Sequence, residues 1–219
     1  MIRGALLDAD GTIVNSTKTS ARRFFRAALM RGHSVSRAMF KEGRDLIPRI
    51  GGEAILHFWP DEDRQAFYRS WEKVDLTYEW EPLPGARGAL EALRRRHYVL
   101  SIFSNRSRRT LNPLLEKLGL SHLLTFSHGC EGGYLKPDWR SIGPLLTAYD
   151  RLAIGQRELL FVGDSVNLDW PVAEYLGLAF VGVLTGVDTR DQFLTAGVPA
   201  ENIIPSVADL PAWLEKHDR

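Results

Sequence analysis

The stretch Leu6-Leu7-Asp8-Ala9-Asp10-Gly11-Thr12-Ile13-Val14 decides how the rest of the chain is read. It sets two carboxylates two residues apart at the end of an apolar run, directly before Gly-Thr. Alternate residues of a strand point the same way. The strand is expected to break after Asp8, so both acids sit at a strand tip beside a turn that Gly11 makes accessible. Carboxylates that close repel unless a cation lies between them or one takes a proton. A metal-assisted site with one nucleophilic and one acid/base carboxylate answers that requirement. For the fragment alone, a strand running into an Asp/Gly turn is the plain structural alternative.

Working outward, short apolar runs at 2–7, 98–103, 123–126, 159–162 and 179–184 each end in polar residues or glycine. The later ones are separated by helical patterns over 85–96, 107–118, 138–149 and 169–176. Strands alternating with helices predict a parallel sheet covered on both faces, with ligands bound beyond the carboxyl ends of the strands. Between about 16 and 82 no strand pattern occurs. Helical spacing over 21–30 (Phe24, Ala27, Ala28) and 64–78 (Phe67, Tyr68, Trp71) predicts a helical insert instead. Pro82-Leu83-Pro84-Gly85 reads as a stiff return to the sheet. Phe58, Trp59, Phe67, Tyr68, Trp71, Tyr78 and Trp80 are expected to form mostly the insert's own core.

Composition excludes several classes. The 219 residues are 44% hydrophobic and 25% charged, with a formal net charge of +1. No global field therefore favours nucleic acid or an anionic membrane. The basic run Arg94-Arg95-Arg96 closes a Leu/Ala-rich helical pattern and suits a solvated helix end. Cys130 is the only cysteine, which rules out an intrachain disulfide and fits a reducing compartment. It lacks the surroundings of a nucleophile. The run before Asp8 is expected to be too short for a signal peptide, and no apolar run reaches membrane-spanning length. A cytoplasmic chain, monomeric or homodimeric, is the expectation.

Three further fragments fall at expected strand ends. Ser104-Asn105 offers a hydroxyl and backbone N–H groups just before a helix, which suits a phosphate oxygen. Lys136 supplies a point charge for an anion. Gly163-Asp164-Ser165 with Asp169 sets two acids at a strand terminus, which suits Mg²⁺. Taken singly, each also has a plain structural reading: an ordinary loop, a loop lysine and a helix cap.

Taken in order, the four fragments resemble the haloacid dehalogenase superfamily. Asp8-Ala9-Asp10-Gly11-Thr12 is similar to its first motif, Ser104 to the second and Lys136 to the third. Gly163-Asp164-Ser165 with Asp169 is similar to the fourth. The resemblance implies an α/β fold: a Rossmann-like three-layer parallel sheet core (1–15 and 83–219) with an inserted α-helical cap domain (16–82). Dehalogenase members carry Tyr at the position of Asp10 and phosphonate-cleaving members Ala, so Asp10 favours phosphate ester chemistry. The cap position, the Pro-x-Pro-Gly re-entry and Lys136-Pro137-Asp138 look like the phosphoglycolate phosphatase and β-phosphoglucomutase branch.

The resemblance also implies roles. Asp8 would attack the phosphorus of a small phosphomonoester and form an aspartyl-phosphate. Asp10, protonated at the start, would donate to the leaving alcohol and then activate water. Mg²⁺ would be held by Asp8, the Asp10 carbonyl and Asp164, with Asp169 as a further ligand or a supporting partner. Ser104, Asn105, Lys136 and Gly11 would hold the phosphoryl group. Thr12 would orient the loop by hydrogen bonding or serve packing alone. Arg106 is a candidate second anion contact, and Arg44, Arg49 and Gly52 are candidate cap contacts. A phosphosugar mutase and a non-catalytic binding module of the same fold are the alternatives. A flavodoxin-like or response-regulator reading does not explain the insert or Asp10-Gly11-Thr12.

Overall fold

The computed structural model describes residues 1–130 and 134–217. Residues 131–133 of the expected 129–135 loop lie outside the described ones. The chain divides into two compact units, Met1–Asn15 with Glu81–Arg219, and Ser16–Trp80.

The first unit is a six-stranded parallel sheet. Its strands are β1 (Gly4–Leu7), β2 (Val99–Phe103), β3 (Phe126–His128), β4 (Leu159–Gly163), β5 (Ala179–Val183) and β6 (Ile203–Ile204). Their spatial order is β3-β2-β1-β4-β5-β6. β1 is buried throughout and pairs on one side with β2 (Leu6 opposite Ser101) and on the other with β4 (Leu6 opposite Phe161). Such two-sided burial is why the strands read as continuous apolar runs instead of alternating ones. Strand order reverses at β1, between β2 and β4, which opens the crevice where ligands bind in this class of sheet.

The connecting helices bury an apolar stripe at helical spacing. In α5 (Ala86–Arg95) that stripe is Ala86, Ala89, Leu90 and Leu93. The helices α6 (Arg108–Lys117), α7 (Gly143–Asp150), α8 (Trp170–Leu176), α9 (Arg190–Thr195) and α10 (Leu210–His217) complete the unit. Leu6, Phe103, Phe161, Phe180, Phe193 and Tyr149 lie in its main core. Burial raises the Tyr149 hydroxyl above the usual phenol range despite a 2.8 Å hydrogen bond to Ser101, so it stays neutral.

Three sequence expectations move. β3 runs from Phe126 to His128 instead of over the expected 123–126, and Leu123 closes a 3₁₀ turn, Ser121–Leu123, ahead of it. The pattern over 138–149 splits into a 3₁₀ turn, Trp139–Ile142, and α7. The return segment starts at Glu81, one residue before the expected Pro82: Asn15 donates to the Glu81 carbonyl (3.0 Å), Leu83 to that of Ile13 (2.8 Å), and Val14 bridges Pro82.

The second unit contains α1 (Ser20–Met30), α2 (Arg37–Ile50), α3 (Ala54–Phe58) and α4 (Arg64–Thr77). Phe24, Phe25, Ile47, Ile55, Phe67 and Val74 form its core, with Phe58, Trp59 and Trp71 packed against them. Tyr68 is more exposed and stacks on Trp71, while Tyr78 and Trp80 line the guanidinium of Arg23.

Candidate active site

Asp8, Ser104 and Asp164 each follow directly the last residue of a neighbouring strand, β1, β2 and β4. The Asp8 amide still donates to the Val162 carbonyl (2.9 Å), so the sheet's register fixes where the first carboxylate stands. Gly11 turns the chain back with φ +79° and donates to the Val14 carbonyl (3.0 Å). A Cβ at Gly11 would also press into the Asp164 carboxylate, so the turn and the close approach both demand glycine.

Lys136 reaches this point buried, with its ammonium 2.5 Å from Asp8 Oδ1, 2.6 Å from Asp169 Oδ1 and 3.2 Å from the Phe103 carbonyl. Burial disfavours its charge, but Asp169 and Asp8 outweigh that and hold its pKa above the ordinary lysine range. The Asn105 side chain clamps the Lys136 backbone, donating to its carbonyl (3.1 Å) and accepting from its amide (2.7 Å). The carboxamide is thus committed to positioning Lys136. Ser104 is buried and its Oγ accepts the Arg106 amide (3.1 Å).

Asp8, Asp164 and Asp169 are all buried, and one carboxylate oxygen of each lies within 4.8 Å of the others. Three carboxylates therefore face one ammonium. Burial, helped by Asp169 and Asp10 and opposed by Lys136, pushes Asp8 up to about 7. Burial and the charges of Asp8 and Asp169 push Asp164 well above the usual carboxylate range.

The acids are engaged differently. Both oxygens of Asp169 are used: Oδ1 accepts from Lys136, and Oδ2 accepts the Asp164 and Ser165 amides (3.1 Å each). Asp8 uses only Oδ1, on Lys136, and Asp164 only Oδ2, on the Val187 amide at 2.9 Å. Among the described residues, the second oxygen of each accepts no hydrogen bond. Carboxylate oxygens left without a donor, on buried residues that share excess negative charge, are the donor set of a hard divalent cation, so Asp8 and Asp164 fit as direct ligands.

Asp10 stands apart from this cluster. Both its oxygens accept from Arg106, Nε at 2.6 Å and Nη2 at 2.8 Å. That bidentate pattern belongs to an ionised carboxylate. The Thr12 hydroxyl is buried and has no hydrogen-bond partner among the described residues, so packing is the role its surroundings show. Arg44 and Arg49 lie in α2, and Gly52 follows it, all in the helical unit.

The motif reading missed one segment, residues 185–188, which follows β5. Thr185 Oγ1 donates to the Gly11 carbonyl (2.6 Å), Val187 N–H to Asp164, and Asp188 Oδ2 accepts the Val166 amide (2.8 Å). The apolar run 179–184 pointed to a strand end here, but Thr-Gly-Val-Asp has the look of any turn.

A family model described as haloacid dehalogenase-like hydrolase matches residues 5–183. The chain belongs to this family. All four hydrolase-like motif segments lie inside that match, as does Thr12. The chain is 34% identical over 103 residues to a phosphoglycolate phosphatase of Haemophilus influenzae (strain 86-028NP), a stretch covering 47% of this chain and 45% of that protein. The match thus spans about half the length of that relative. A phosphoglycolate phosphatase of Yersinia pestis is 26% identical over 207 residues, 89% of this chain and 86% of its own. A solved HAD-superfamily hydrolase of subfamily IA, variant 1, from Geobacter sulfurreducens superposes with a TM-score of 0.67 at 25% identity. That superposition covers 97% of this chain and 96% of the other. No described helix is long and apolar enough to cross a membrane.

Proposed function

We propose that this hydrolase is a Mg²⁺-dependent phosphatase that cleaves a small phosphomonoester through an aspartyl-phosphate on Asp8. The observation that carries the reading is the engagement of Asp8. It is buried at a strand end, fixed through one oxygen by Lys136, with the other oxygen unclaimed. The relatives named phosphoglycolate phosphatase support a small anionic ester as substrate.

Asp8 and Asp164 would hold Mg²⁺, which would supply charge neutralisation and Lewis acidity. Lys136 holds Asp8 in line and offsets its repulsion of the incoming anion. The Ser104 hydroxyl and backbone amides near Asn105 receive the phosphoryl oxygens, because the transferring group needs positioned donors more than covalent help. Asp169 keeps Lys136 and the 164–165 turn in place. Asp10 would give a proton to the leaving alcohol and then take one from the attacking water, which requires its carboxyl to leave the Arg106 fork and pick up a proton from solvent once substrate arrives. In this reading the helical unit, Ser16–Trp80, takes the part of the family's cap domain.

The test is phosphate release from a panel of small phosphomonoesters, with and without Mg²⁺, by wild type and Asp8→Asn. Removing a nucleophile should cost at least about 10³-fold in turnover, with folding unchanged by circular dichroism. Near-full activity in folded Asp8→Asn would sink the mechanism. An isomerised phosphosugar in place of free phosphate would convert the reading to a mutase.

A further inference from the structure

We infer that Asp188 is a positioning residue for the metal site, clamping the loop after β5 to the loop after β4 and thereby aiming the Asp164 carboxylate. The inference rests on the reading that Asp164 holds a divalent cation.

The two loops exchange one carboxylate and one amide each. Val187 N–H donates to Asp164 Oδ2 (2.9 Å), and Val166 N–H donates to Asp188 Oδ2 (2.8 Å). Asp188 is only 3% exposed. A buried carboxylate beside an acid-rich centre is costly unless charge-assisted hydrogen bonds hold it. A helix-capping role does not account for it, because Thr189 caps α9, accepting the Gln192 amide with Gln192 answering in a capping box. The same four-residue segment fits closely elsewhere. A Cβ on Gly186 would overlap the Asp164 carboxylate, and Thr185 holds the Gly11 carbonyl. The segment therefore touches both carboxylate-bearing turns, and Asp188 is its anchor on the Asp164 side.

Loss of a residue that orients a ligand typically weakens metal binding by about 10–100-fold. Asp188→Ala removes the acceptor, whereas Asp188→Asn keeps one oxygen for the Val166 amide while removing the charge and the second acceptor oxygen. The experiment is Mn²⁺ binding to the purified chain, read from the free-Mn²⁺ electron paramagnetic resonance signal. Wild type, Asp188→Ala, Asp188→Asn, Gly186→Ala and Asp164→Ala would be compared, with melting curves alongside.

Asp188→Ala should raise the Mn²⁺ Kd by about 10–100-fold, and Asp188→Asn should return it close to wild type. In phosphate release, Asp188→Ala should raise the Mg²⁺ needed for half-maximal rate more than it lowers turnover at saturation. Wild-type binding by Asp188→Ala, where Asp164→Ala has lost it, overturns the inference and leaves the metal reading standing. Wild-type binding by Asp164→Ala overturns the metal reading itself. Asp188→Asn as weak as Asp188→Ala overturns the acceptor role. Should Asp188→Ala fail to fold, Gly186→Ala decides: weakened Mn²⁺ binding supports a loop that aims Asp164, and wild-type binding overturns it.

Discussion

Two buried charge systems, one in each unit, differ in a single respect. In the helical unit Arg23 meets Asp75 at 2.6 Å, with side chains 5% and 11% exposed. The guanidinium lies 4.4 Å from the centre of the Trp80 ring, and the Trp80 indole donates to the Asp75 carbonyl (2.9 Å). Here a guanidinium meets a carboxylate beneath aromatic rings. In the sheet unit Lys136 is equally buried but meets Asp8 and Asp169, with Asp164 close behind. Matched charges with aromatic cover make a structural anchor. Three acids around one ammonium leave charge for something else to neutralise, and burial makes that imbalance expensive. Imbalance, more than burial or ion pairing, is what separates the site from the scaffold.

The largest effect that would break this contrast is on the balanced pair. Removing one partner of a buried ion pair costs about 3–5 kcal/mol because the other charge stays buried. Arg23→Met should therefore destabilise the chain by about that much in urea unfolding, while leaving Mn²⁺ affinity at wild-type values. Arg23→Met with Asp75→Leu should recover most of the loss. A near-neutral Arg23→Met would mean that the pair is not the anchor proposed. On the unbalanced side, Lys136→Met removes the sole ammonium from the cluster. It should lower turnover by about 10²–10³-fold, the scale of losing a positioned electrostatic donor. It should also make folding depend on divalent cation, so Mg²⁺ raises its melting temperature more than that of wild type. An equal or smaller rise would show that Lys136 does not balance the acids.

The sites were legible where chemistry sits on strong local signals. Asp8, Ser104 and Asp164 could be placed because each ends an apolar run, and strand ends converge at the point of order reversal. The clamp of Asn105 on Lys136, and the committed oxygens of Asp169, depend on hydrogen bonds across 31 and 33 residues and carry no local pattern. The pairing of Asp10 with Arg106 spans 96 residues. In the fold, β6 escaped notice because two residues show no period. α2 was passed over because Pro48 lies inside it and Gly51-Gly52 follows. The 185–188 segment was hidden because each of its contacts pairs a side chain with a backbone group across 22, 23 or 174 residues, and Gly186 contributes by missing side-chain volume, none of which leaves a local pattern.

The smallest expected effect is also the sharpest on charge. Asp8 titrates near 7 and Asp164 is likewise raised. Between the ordinary carboxylate range and pH 7 the folded chain therefore holds protons that the unfolded chain has released. Linkage makes this contribution to stability complete at low pH and lost as pH rises through about 7. A divalent cation requires the deprotonated acids and takes over as the proton leaves. The gain in stability on adding Mg²⁺ should therefore be near zero at pH 5 and grow toward pH 8. At a concentration 100 times Kd it would reach about 2.7 kcal/mol. Taking the difference between Mg²⁺ and chelator at each pH cancels exposed groups such as Glu158, whose carboxyl is lowered by the Gly155 amide and Arg3. Arg23→Met should shift the starting stability without altering how this gain climbs with pH, because the balanced pair takes no part in it. A Mg²⁺ gain of the same size at pH 5 and pH 8 would place the ion away from the buried acids, and the imbalance would then have no role in binding it.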